Sequence, residues 1–186
     1  LPLKETGFSF VNHIFTMIVY KDMLTGDELI SDSFGLHDVV DAEGNKIPGL
    51  KECESKLIVA GGSVDIGCHD EEPDVDEETV NNIVATFELT ETGFGKKKEL
   101  MTYFKGYMKK LKAKLEEGAG EEGAVKKFMT EAKVVVGWLT KRFNDLQFFM
   151  SKSLDPAAML IFSIYKEGAS TPTFYFMQWG LIEEKC

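Results

Sequence analysis

Four lysines, Lys98, Lys105, Lys109 and Lys112, and one run of carboxylates, HDEEPDVDEE at 69–78, carry the chemistry that residue type and spacing offer in this 186-residue chain. At about 100° per residue, Lys98, Lys105 and Lys112 fall on one flank of a helix, with Lys109 beside them. Such a flank is a docking surface for an acidic protein or filament. Equally, it is a solvated face whose lysine stems cover the edge of an apolar stripe. The acidic run presents carboxylate oxygens to Ca²⁺, with Asp70, Glu71, Glu72, Asp74 and Asp76 as candidate ligands. It is not an EF-hand, because the third ligand and the turn glycine are missing at the required offsets. A cluster without preorganisation binds weakly, with a dissociation constant on the order of 10⁻⁴ to 10⁻³ M. The competing reading is a solubilising loop. A third feature, Asp27-Glu28, follows Thr25-Gly26. Turn chemistry accounts for Asp27 on spacing alone, and Glu28 is left undetermined.

Other chemistries lack their signatures. There is no GxSxG, HExxH or GxxxxGK[ST] in the chain, and the region around Phe94-Gly95-Lys96-Lys97 is helix-entry chemistry and not a phosphate cradle. The reading is a non-enzyme with no required cofactor. His13, His37 and His69 are scattered, and Cys53, Cys68 and Cys186 contain no CxxC pair, so no zinc site is expected. This cysteine usage reads as a reduced, cytoplasmic setting. Cys186 is the thiol expected to be exposed and a candidate for an intermolecular disulfide, while Cys53 and Cys68 read as inert. No apolar run is long enough to insert in a membrane.

Charge is segregated along the chain. Its net value is −10. Residues 57–95 contain ten acids and no Lys or Arg, which accounts for the whole excess. From Lys96 to Arg142 there are 13 basic and six acidic residues. An acidic stretch beside a basic module suits a binding protein with separate surfaces. The overall negative charge argues against nucleic acid as the partner.

The elements that must position these residues follow from periodicity. Leu100, Phe104, Tyr107, Met108, Leu111 and Leu115 form one helical stripe, and Val125, Phe128, Met129, Ala132, Val135, Val136, Leu139 and Phe143 a second. With glycines between them they predict an antiparallel helical hairpin over about 95–143. Strands are expected at Ile18-Val19-Tyr20, Leu29-Ile30, Val80–Thr90, Leu146–Met150, Met159–Tyr165 and Thr173–Met177. On the fourth of these elements' predecessor, Val80–Thr90, Ile83, Ala85, Phe87 and Leu89 are placed on one face. A flexible acidic loop is expected over about 49–79, and residues 1–16 as a peripheral extension or leader. Strands, then helices, then strands give an α+β class with a mostly antiparallel sheet and one domain over 17–186.

Several stretches resemble one family. MIVYKD-x-x-x-x-DEL-x-SDS at 17–33, FELTETGFGKKKELMTYFKGYMKKLKAKLEE at 87–117, VKKFMTEAKVVVGWLTKRFNDLQFFM at 125–150 and WGLIEEKC at 179–186 resemble the translationally controlled tumour protein family. The resemblance implies a β-tent-like core with a projecting helical hairpin and a long flexible loop. It implies a cytoplasmic, non-enzymatic protein with many partners. Those partners are tubulin and microtubules, small GTPases of the Rheb type, a translation elongation factor and anti-apoptotic Bcl-family proteins. Calcium binding, growth and survival signalling and a chaperone-like activity also belong to the family. The fold is similar to a zinc-containing chaperone family that binds Rab GTPases, though this chain lacks the cysteine pairs for that zinc. Matched residue by residue, the family's acidic GTPase-contact position falls on Glu28, and its tubulin-binding region overlaps the hairpin with Lys98, Lys105, Lys109 and Lys112. Two signatures depart from the family pattern. Its glycine-rich loop signature stands here as AGGSVDIG (60–67), and its Phe-Phe-x-Gly-Glu stands as FFMSKS (148–153), with Ser151 and Lys152 in place of Gly-Glu. The second departure inverts a charge.

Overall fold

The computed structural model describes residues 17–60, 78–118 and 123–186. In chain order the elements are β1 (Ile18–Asp22), β2 (Glu28–Ser31), β3 (His37–Val40), β4 (Lys46–Glu54), β5 (Leu57–Val59), β6 (Thr79–Asn81), α1 (Asn82–Thr86), β7 (Thr90–Thr92), α2 (Lys97–Glu117), α3 (Ala124–Arg142), β8 (Gln147–Met150), β9 (Ile161–Ile164), β10 (Thr173–Met177) and β11 (Leu181–Lys185). The strands form three antiparallel sheets, ordered β11-β1-β2, β3-β4-β10-β9-β8-β7 and β5-β6. This is the α+β architecture expected from the order of periodicities. Among the described residues no helix is long and apolar enough to cross a membrane.

Strand alternation assigns the two faces of the six-stranded sheet. Tyr175 and Phe162 are register partners and point toward the helices, where Trp138 of α3 packs 5.0 Å from the Tyr175 ring and 6.2 Å from Phe162. Phe148 on the same face meets Phe94 edge-on at 5.2 Å, which anchors the chain just before α2. On the opposite face Phe174 contacts Phe149 at 5.2 Å and pairs with Cys53. Every residue of β10 is buried, as a strand covered on both faces requires. Full burial of each such aromatic contributes roughly 1.5–3 kcal/mol, which makes this sandwich the main source of stability.

Two glycines permit close approach. Gly49 in β4 has φ +84°, and a Cβ there would lie 3.2 Å from Val135 of α3 and 3.3 Å from the Trp179 indole nitrogen. Gly180, within the WGLIEEKC stretch, sits against the Tyr107 hydroxyl and the Met159 methyl, so any side chain would collide with both. The C-terminal segment is thereby fitted to α2.

Three expectations need correction. The segment 80–90 is not one strand: β6 ends at Asn81, whose side chain accepts from the Ile83 and Val84 amides and caps α1. Ile83 and Phe87 are buried four residues apart while Ala85 is exposed, which is helical spacing. The loop expected from 49 to 79 is shorter, because β4 continues through Glu54 and β5 and β6 pair across its ends. On α3, Met129 is 41% exposed and Trp138 takes its place in the buried stripe with Phe128, Ala132, Val135 and Leu139.

Candidate partner-docking sites

On α2 the buried stripe is Leu100, Phe104, Tyr107 and Leu111. Lys98, Lys105 and Lys109 are exposed beside it. Lys112 is half-exposed and lies 3.4 Å from Glu116, one turn on. Among the described residues Lys98, Lys105 and Lys109 form no ion pair. The helix therefore presents a row of positive charge, without counter-charge among the described residues for Lys98, Lys105 and Lys109, held by a well-packed core. The Gly95 amide, before the first turn, donates to Glu99 Oε2 at 2.9 Å, and Lys96 at the cap position supplies no side-chain cap.

Glu28 lies at the opening of β2, and its side chain is 60% exposed. Lys21 Nζ lies 3.7 Å from Glu28 and 2.8 Å from Glu184. Beside Glu28 is a shallow hollow of about 300 Å³, lined by Gly26, Asp27, Glu28, Thr86, Phe87, Glu88 and Lys152. Lys152 Nζ donates to Glu88 Oε1 at 2.6 Å across the hollow. Three segments far apart in sequence thus meet here: the β1–β2 turn, the end of α1 and the loop after β8.

Asp27 does more than the turn requires. Its carboxylate accepts from Ser151 Oγ at 2.6 Å, from Ser153 Oγ, and from Thr25 Oγ1 at 3.1 Å. Burial pushes its pKa up, but the three hydroxyl donors outweigh that and hold the carboxyl below its ordinary value. Ser151 is fully buried. The Ser151-Lys152 departure therefore supplies two contacts, a hydroxyl for Asp27 and an ammonium for Glu88. That departure was the one sequence signal that something joined these segments. Neighbouring Asp22 is also fully buried, and it accepts from the Leu24 amide at 2.9 Å and from the Met159 amide. Burial dominates there and raises its pKa despite those donors. Asp27 Oδ and Asp22 Oδ together tie the β1–β2 turn to the 151–159 loop.

Asp70, Glu71, Glu72, Asp74, Asp76 and most of AGGSVDIG lie outside the described residues, as does Cys68. Among the described residues no group of three acidic, histidine or cysteine side chains is placed to hold a metal ion. Cys186 is exposed, with its amide donating to the Met17 carbonyl at 2.9 Å. Cys53 is buried, donates its thiol to the Phe34 carbonyl at 3.0 Å, and is pushed by burial to a pKa of about 12, which suits an inert thiol.

Comparison with known proteins agrees with the fold. The profile of the family described as "Translationally controlled tumour protein" matches residues 17–182. The translationally controlled tumor protein homologue of Schizosaccharomyces pombe is 39% identical over 175 residues, covering 91% of this chain and 99% of that protein. The Saccharomyces cerevisiae homologue is 39% identical over 176 residues with the same coverage. Among solved structures, the S. pombe protein p23fyp superposes with a TM-score of 0.70 at 37% identity, covering 91% of this chain and 99% of that one. The Caenorhabditis elegans protein gives 0.57 at 26% identity, over 91% and 98%. The chain belongs to the translationally controlled tumour protein family.

Proposed function

We propose that the protein is a non-enzymatic, cytoplasmic docking protein whose α2 lysine flank binds acidic protein partners, tubulin and microtubules first among them. The observation that supports this is the row of exposed lysines, Lys98, Lys105 and Lys109, without counter-charges among the described residues. A surface of this kind attracts a negatively charged filament over roughly a Debye length, about 8–10 Å, and loses that attraction as salt rises. Weak calcium binding by the acidic run belongs to the same reading, as do links to growth and survival signalling through elongation-factor and Bcl-family partners. Microtubule co-sedimentation tests it. The wild-type protein pellets in a salt-sensitive manner, and Lys→Glu changes at 105, 109 and 112 abolish pelleting. Salt-insensitive pelleting, or pelleting that survives those changes, would refute it.

The Glu28 surface supports a second reading, contact with a Rheb-type small GTPase. Glu28 is exposed at the rim of a hollow held in shape by the Asp27 hydroxyl contacts. Release of labelled nucleotide from the GTPase, with Glu28→Ala alongside the wild type, separates the two readings. If Glu28→Ala leaves both release and binding unaltered, Glu28 is not the contact. A holdase-type chaperone activity would instead suppress client aggregation equally well with or without Glu28.

A further inference from the structure

The hollow beside Glu28 has three carboxylates on its wall, Asp27, Glu28 and Glu88, and one cation, Lys152. Asp27 holds Ser151, Ser153 and Thr25 on one oxygen, Oδ2, which fixes the carboxylate to the wall of the hollow. Glu88 and Glu28 are each 60% exposed at the side chain, and Lys152 is 66% exposed, so all three stay within reach of a partner. Among the described residues Glu28 pairs with Lys21 at 3.7 Å, and that lysine is closer to Glu184. The loop that carries Lys152 cannot drift away, because Ser151 and Ser153 on either side of it are both fastened to Asp27. The next residue, Leu154, is 51% exposed at φ +54°, and Glu88 itself has φ +49°. These are the two non-glycine residues with positive φ among the described residues; Glu88 lines the hollow, and Leu154 follows Ser153 in the loop that carries Lys152.

We propose that Lys152 occupies, within the chain, the place on Glu88, beside Glu28, that a partner's basic side chain takes, so that docking exchanges one ion pair for another. This inference rests on Glu28 being a partner contact. The partner it fits is a folded protein face with an exposed Lys or Arg beside an apolar depression that receives Leu154. Lys152 then sets the selectivity of the site. It weakens every cationic partner by a constant factor and favours those that offer Lys152 a carboxylate in return. Exposed ion pairs of this kind shift a binding constant by about two- to fivefold.

The test is a titration of a GDP-bound Rheb-type GTPase into the full chain and its Lys152→Met, Lys152→Glu, Glu28→Gln and Lys152→Glu/Glu28→Gln variants. Unfolding midpoints are recorded in parallel, since Lys152 and Glu28 are exposed enough to leave folding unaltered. The expected results are binding tightened about two- to fivefold by Lys152→Met and more by Lys152→Glu, with part of the gain lost when Glu28→Gln is added. Tightening that is independent of Glu28 would overturn the exchange. So would unchanged or weaker binding in the Lys152 variants while Glu28→Gln still weakens the wild type, and that result would leave the Glu28 contact standing. No binding by any variant would remove the contact and the exchange together.

Discussion

The two candidate docking surfaces are built in opposite ways. The lysine flank is local: one helix carries it, and its charges repeat along the chain with helical spacing. The Glu28 surface is assembled from three segments, around residues 26–28, 86–88 and 151–154, with bonds spanning more than 120 residues of sequence. On α2, Lys98, Lys105 and Lys109 lack counter-ions among the described residues, Lys112 lies near Glu116, and the backbone is regular. Around Glu28 the charges are largely paired and two residues sit at positive φ. A helix flank can change sequence at little cost to the fold, whereas the Glu28 surface shares its bonds with the packing of the core. Changes in the two regions should therefore separate binding from stability to different degrees.

The largest effect is expected under the lysine flank. Phe104→Ala removes a fully buried ring from the α2 stripe and should cost about 3–5 kcal/mol, read as a lowered denaturant midpoint. Gly180→Ala comes next: overpacking against Tyr107 and Met159 should cost about 1–3 kcal/mol. On the Glu28 side, Asp27→Ala leaves the buried Ser151 hydroxyl without its acceptor and should cost about 1–2 kcal/mol. That cost should depend on pH. The folded-state pKa of Asp27 is depressed, so its contribution is present above the ordinary carboxylate value of about 3.9 and is lost as pH falls through the folded value. The stability gap between wild type and Asp27→Ala should narrow on acidification, and a widening gap would contradict the assignment. Asp22, raised by burial, contributes with the opposite sign: stability gained on protonation is lost as pH rises through its folded value. The smallest effect is expected at Tyr107, whose hydroxyl is buried with no hydrogen-bond partner among the described residues. Tyr107→Phe should be neutral or stabilise by up to about 1 kcal/mol.

The same contrast explains what was legible in the sequence. The helices α2 and α3 were readable because 3.6-residue periodicity is a local property, and the strands β8, β9 and β10 because they are short apolar runs. The segment from Val80 to Thr90 misled because Ile83, Phe87 and Leu89 fit alternation as well as a helical turn. The Asn81 cap, a side chain bonding its own neighbours, decided between them. The loop expected over 49–79 overlaps two strands because polar β4 and the brief β5 show no clear alternation. Asp27 looked sufficient as turn chemistry because its serine partners lie in another part of the chain. Only the position of Ser151-Lys152 within a departed signature hinted at them.

The central proposal is that the α2 lysine flank docks an acidic filament without help from the Glu28 surface. The most direct measurement is a microtubule co-sedimentation isotherm for the wild type, the Lys98/Lys105/Lys109→Glu variant and Glu28→Gln, each at low and moderate salt. The account predicts that the lysine variant loses binding and its salt dependence, while Glu28→Gln binds as the wild type does. Equal loss in both variants, or none in the lysine variant, would contradict it.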